Sequence, residues 1–159
     1  MSIDPHLEPG TRTILGSYVF EPEAIMEFAA KFDPQPFHTD PEAARQSVFG
    51  GLCASGWHTT AVWMKLHIAD EARWTAERVA KGLPAIEFGP SPGIRNLRWL
   101  RPVFAGSTIT FAHIIRELRR YAGRPGWSIL ETSAEAWNEK DEMVLTFDSA
   151  VLVNIATEE

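Results

Sequence analysis

The stretch FDPQPFHTDP, residues 32–41, sets Asp33, His38 and Asp40 among Pro34, Pro36 and Pro41. Each proline fixes its own φ and restricts the residue before it, so these polar side chains project from a stiff chain. A carboxylate and an imidazole five positions apart can meet across such a loop. Because imidazole titrates near neutral pH, the pair suits proton transfer to or from water. On the residues alone a second reading stays open, with Asp33 and Asp40 as turn or helix caps and His38 packed in the core.

Other elements must hold that loop in place. Across residues 55–69 only Lys65 is formally charged, and apolar or small residues fall on nearly every face, as expected of a helix surrounded by protein. Ser55 is placed as its N-cap after Gly50 and Gly51, and an amphipathic continuation runs toward Lys81. Shorter helices are expected over residues 21–31 and, opened by Pro41 after Asp40, over residues 41–46.

The remainder reads as strands. In residues 143–155, Met143, Leu145, Phe147, Val151, Val153 and Ile155 alternate, which marks one buried face. Trp127, Ile129 and Trp137 mark a face of residues 127–137, and Ile109, Phe111 and Ile115 a face of residues 108–120. The turn-forming AGRPG and NEKDE join these strands as hairpins. Adding residues 94–100 and 13–20 makes about five strands, while LPAIEFGPSPG, residues 83–93, reads as a rigid irregular loop. A strand, an apolar helix and a strand meander predict an α+β fold with an antiparallel sheet curled around the helix.

A chain of 159 residues fits one domain spanning 1–159, and 45% apolar with 23% charged residues is the balance of a water-soluble globular protein. A net charge of −6 argues against a nucleic-acid or membrane-surface binder, since both need clustered cations. The apolar helix is too short and polar to span a bilayer. The lone Cys53 cannot close an intrachain disulfide and MSIDPHLEPG lacks the features of a secretory signal, so a cytoplasmic location is expected.

The loop resembles the hydratase motif of the MaoC-like acyl dehydratase and (R)-specific enoyl-CoA hydratase family: Gly-Asp, any residue, Asn-Pro, an aliphatic residue, His, any residue, Asp. Asp33, Pro36, His38 and Asp40 match it, as does the small Ala44 farther on, while Phe32 stands at the glycine and Gln35 at the asparagine. FGGLCASGWHTTA is similar to the family's entry into its central helix, and LRPVFAGSTI to its Pro-Val-x-x-Gly-Asp strand junction. The resemblance covers nearly the whole chain and implies the hotdog fold.

It also implies an activity, the reversible hydration of a trans-2-enoyl-CoA to a 3-hydroxyacyl-CoA, usually of R configuration. Asp33 and His38 would hold and activate the water, with no cofactor beyond the coenzyme A of the substrate. A backbone N–H at the start of the helix, with Gly56 as the candidate oxyanion-hole donor, would support the enolate oxygen. Ser55, at a position where the family often has histidine, joins Gln35 and Asp40 as a candidate substrate-binding residue. A homodimer or a dimer-based higher oligomer is implied, with an acyl-CoA or acyl-carrier-protein thioester bound near the dimer interface.

Other residues carry weaker signals. His58 and His67 do not share the i, i+4 spacing of paired ligands and no CxxC or HExxH accompanies them, so no metal site is expected. His58 and His113 read as hydrogen-bonded packing histidines. Arg95, Arg101, Arg116, Arg119, Arg120 and Arg124 fit either coenzyme A phosphates or solvated strand edges. Two rival activities share the fold: a thioesterase, and a non-catalytic acyl-CoA or lipid binder suggested by Phe32 and Gln35.

Overall fold

The computed structural model describes residues 4–155. A single 3-10 turn at Pro5–Leu7 precedes β1 (Arg12–Val19), which runs into α1 (Pro22–Phe32), α2 (Pro36–Thr39), α3 (Pro41–Arg45) and α4 (Gly56–Ala80). The chain then forms β2 (Ile86–Phe88), β3 (Gly93–Trp99), β4 (Thr108–Arg120), β5 (Trp127–Trp137) and β6 (Met143–Ile155). All six strands join one antiparallel sheet in the order β1-β4-β5-β6-β2, with β3 also pairing on β6. The sheet curls around α4, as the α+β hotdog arrangement requires.

The sixth strand, β2, lies in the segment expected to be a loop. Three residues flanked by prolines are too few to show a period in sequence. They become a strand because the end of β6 offers a free edge at Val153, Asn154 and Ile155. Ile86 is then buried in a satellite cluster with Trp74, Leu130 and Val153.

The inward face of β5 also differs from expectation. Leu130, Thr132, Ala134 and Ala136 point into the protein, whereas of the expected face Trp127 is buried and Ile129 and Trp137 are only partly covered. Small residues fit that face because large neighbours fill the space: Ala134 pairs with Phe147 on the adjacent strand, whose ring meets fully buried Trp63 of α4 edge-on at 4.7 Å. The Trp63 indole nitrogen donates to the Ala112 carbonyl at 3.0 Å, tying the helix to β4. Trp137 instead lies under the Arg12 guanidinium, 4.6 Å from its ring centre.

Helix α4 is longer than its apolar first half, and its cover is one-sided. His58, Thr59, Val62, Trp63, His67, Trp74 and Arg78 form the buried stripe. Trp57, Ala61, Met64 and Ile68 form an exposed, largely apolar stripe on the other face. The single chain therefore does not surround this helix, contrary to the sequence expectation.

Candidate active site

Three short elements carry the loop. Asp33 ends α1, where its N–H donates to the Ala29 carbonyl, and Gln35 opens α2, which holds His38 in its last turn. Asp40 closes α2 and opens α3, its Oδ1 accepting from the amides of Glu42 at 2.9 Å and Ala43 at 3.3 Å. The carboxylate of Asp40 is therefore engaged as a helix cap, the role favoured for Asp at such a position. Its side chain is exposed.

The partner wall is the segment leading into α4. Cys53 bridges to Phe104, Ala54 N–H donates to Val103, and Cys53 N–H donates to the Phe37 carbonyl. So anchored, the Cys53 carbonyl accepts from His38 Nδ1 at 2.6 Å. A carbonyl can only accept, so Nδ1 is the donor and Nε2 is the ring nitrogen turned toward Asp33. That Nε2 lies 3.4 Å from Asp33 Oδ2.

Asp33 is gripped on both oxygens. Gln35 Nε2 donates to Oδ1 at 2.7 Å and Ser55 Oγ donates to Oδ2 at 2.7 Å. Burial pushes the Asp33 carboxyl up, but the hydrogen bonds from Gln35 and Ser55 and the nearby His38 outweigh it and hold the group below the usual carboxylate range. Asp33 thus stays an anion at neutral pH. Ser55 is fully buried and does double duty, because its Oγ also accepts from Trp57 N–H and caps α4.

The Ser55 side chain, read from sequence as a helix cap and a candidate substrate contact, thus also holds Asp33. Its position before a helix announced a cap, but nothing local announces a contact with a carboxylate 22 positions away. Gln35, read as a candidate substrate contact, touches Asp33.

Gly56 begins α4, where the first amides have no partner within the helix. A Cβ on Gly56 would fall 2.2 Å from the Trp99 ring, so the missing side chain is space that Trp99 fills. Trp99 also donates to Thr60 Oγ1 at 3.2 Å and meets Trp57 edge-on at 4.9 Å. This aromatic pair stands half-exposed beside the helix start.

Nearby groups are chemically quiet. Burial pushes the Cys53 thiol up to about 11, so it is no thiolate nucleophile. His58 stacks on Phe28 at 4.6 Å and meets Phe20 edge-on, and burial pushes it down to about 4, which keeps it neutral. Contrary to the hydrogen-bonded packing role expected, its Nδ1 has no partner among the described residues. His113 does find one, His67 Nδ1 at 3.3 Å.

Four of the six arginines weighed as phosphate partners, Arg95, Arg101, Arg116 and Arg119, have side-chain partners within the protein. Arg95 and Arg119 both pair with Glu131, and Arg116 donates to Ser133. Glu131 and Ser133 alternate with inward-facing Leu130, Thr132 and Ala134, so this network occupies the outer face of the sheet. Arg101 pairs with Glu142. Among the described residues no cluster of His, Cys, Asp and Glu is arranged to hold a metal ion, and no helix is long and apolar enough to cross a membrane.

Comparisons with known proteins agree with this architecture. A family model for the MaoC like domain matches residues 7–124. An uncharacterized protein of Bacillus subtilis (strain 168), YdeM, is 28% identical over 129 residues, 81% of this chain and 82% of that protein. The crystal structure of a MaoC-like dehydratase from Rhodospirillum rubrum superposes with a TM-score of 0.76 at 33% identity, covering 96% of this chain and 97% of that one. The (R)-hydratase from A. caviae involved in PHA biosynthesis shares the fold, with a TM-score of 0.63 at 20% identity over 94% of this chain and 98% of that one. With its motif loop, central helix and curled sheet, the chain belongs to the MaoC-like domain family.

Proposed function

We propose that this hydratase/dehydratase-family protein adds water reversibly across the double bond of a trans-2-enoyl thioester, giving the 3-hydroxyacyl thioester. One observation carries the reading: His38 Nε2 faces the anionic Asp33 Oδ2 at 3.4 Å. With the proton of His38 on Nδ1 alone, both atoms are acceptors, and a water molecule donating one hydrogen to each fits between them. Its oxygen lone pairs are then left free to attack.

The steps balance. The water oxygen bonds to carbon three as one of its protons passes to the dyad, and the double-bond electrons move through carbon two onto the thioester oxygen. The Gly56 amide at the start of α4 supports that enolate oxygen. Carbon two then takes a proton back from the dyad, which returns to its starting state. A thioesterase would instead need the water aimed at the thioester carbonyl.

The acyl group is carried on coenzyme A or on an acyl-carrier protein, and the protein works in the cytoplasm as a homodimer. The exposed stripe of Trp57, Ala61, Met64 and Ile68, continued by Trp99, supports the dimer, because a second copy would cover apolar surface beside the site.

Incubation with crotonyl-CoA and longer enoyl-CoAs tests the activity. Loss of the conjugated enoyl absorbance without free thiol is the expected result. Thiol release would indicate a thioesterase, and binding without either change a non-catalytic role.

A further inference from the structure

We propose that Gln35 is a positioning residue, whose carboxamide clamps Oδ1 of Asp33 so that Oδ2 alone is presented to His38 and the reacting water. The inference rests on the hydration reading for its catalytic meaning, but the clamp itself stands on geometry. A carboxylate held only by Ser55 at Oδ2 could turn about its last torsion and exchange its two oxygens. A second donor at 2.7 Å on Oδ1 opposes that turn, because each oxygen is then tied to its own donor.

The backbone of Gln35 is fixed for the task. Its N–H donates to the Asp33 carbonyl at 2.7 Å, and its carbonyl accepts from His38 N–H at 2.9 Å and from Thr39 Oγ1 at 3.1 Å. The residue that clamps Asp33 therefore also ties down the turn that carries His38. Its side chain is exposed, so no need to satisfy a buried amide accounts for the contact. Among the hydrogen bonds that hold the Asp33 carboxyl down, the one from Gln35 acts most strongly.

The test follows the Asp33 carboxyl directly, by carbon-13 NMR titration of aspartate-labelled protein with the signal assigned through Asp33→Asn. Gln35→Met removes the donor at similar length, and Gln35→Glu puts an anion in its place. The Asp33 titration should move upward in Gln35→Met and farther in Gln35→Glu. Hydration of crotonyl-CoA by Gln35→Met should fall about tenfold at neutral pH, in kcat with KM little changed. Coincident titrations in all three proteins would overturn the clamp, whatever the activity. An ordered titration with no hydration by the unaltered protein would keep the clamp and reject the hydration reading instead.

Discussion

His38 Nε2 approaches Asp33 Oδ2 at 3.4 Å while His38 Nδ1 is committed to the carbonyl of Cys53. The second contact makes the first one useful. With Nδ1 donating to a group that can only accept, the imidazole is oriented with its other nitrogen toward the carboxylate. The two residues of the motif thus depend on a backbone oxygen that the motif does not contain.

Removing either proton-transfer group should remove most of the rate. Asp33→Asn and His38→Ala are each expected to lower hydration of an enoyl-CoA about a hundred- to ten-thousand-fold, with far-ultraviolet circular dichroism unchanged. Undiminished activity in both would show that the chemistry lies elsewhere.

Ser55→Ala strips a cap and a carboxylate partner together. Loss of the cap alone should cost about 1 kcal/mol in urea unfolding. Hydration should fall as well, because Asp33 Oδ2 loses its 2.7 Å donor. A stability loss with normal turnover would confine Ser55 to the helix.

Gly56→Ala places a methyl against the Trp99 ring, so the indole must move off the helix start. The expected destabilisation is about 1–3 kcal/mol, the usual cost of forcing an extra carbon into a packed contact. Tryptophan fluorescence should change in parallel, since Trp57 packs on Trp99.

Acid should weaken the fold through its buried histidines. Burial pushes both His58 and His113 from 6.5 down to about 4, so below pH 6.5 the unfolded chain binds protons that the folded chain refuses. Stability is fully present above pH 6.5 and declines as pH falls toward 4. His58→Phe, which keeps a ring against Phe28, should show a shallower decline than the unaltered protein in urea unfolding at stepped pH. Parallel curves would exclude His58.

The exposed stripe on α4 should hold two copies together. Sedimentation velocity should show a dimer, and Met64→Glu with Ile68→Glu should shift it to monomer by burying charge in an apolar contact. A monomeric unaltered protein would leave that stripe without its proposed cover.

Much of this protein was legible from its residues because the information is local. Alternation in residues 143–155 and 108–120 announced long strands, the sparsely charged run after Ser55 announced the central helix, and the stiff proline-rich loop isolated Asp33 and His38. The capping role of Asp40, open on the residues alone, is also a short-range matter, since its partners lie two and three positions away. Tertiary structure decided what depends on distant neighbours. Ile86–Phe88 became a strand only against the free edge of β6, and β5 turned its alanines inward where Trp63 and Phe147 fill the neighbouring space. The poise of the site was settled in the same way, since the Cys53 carbonyl and the Ser55 hydroxyl lie 15 and 22 positions from the side chains they hold. Residue type sets what a side chain can donate or accept, whereas the partner it meets is set by packing that brings remote segments within hydrogen-bond reach.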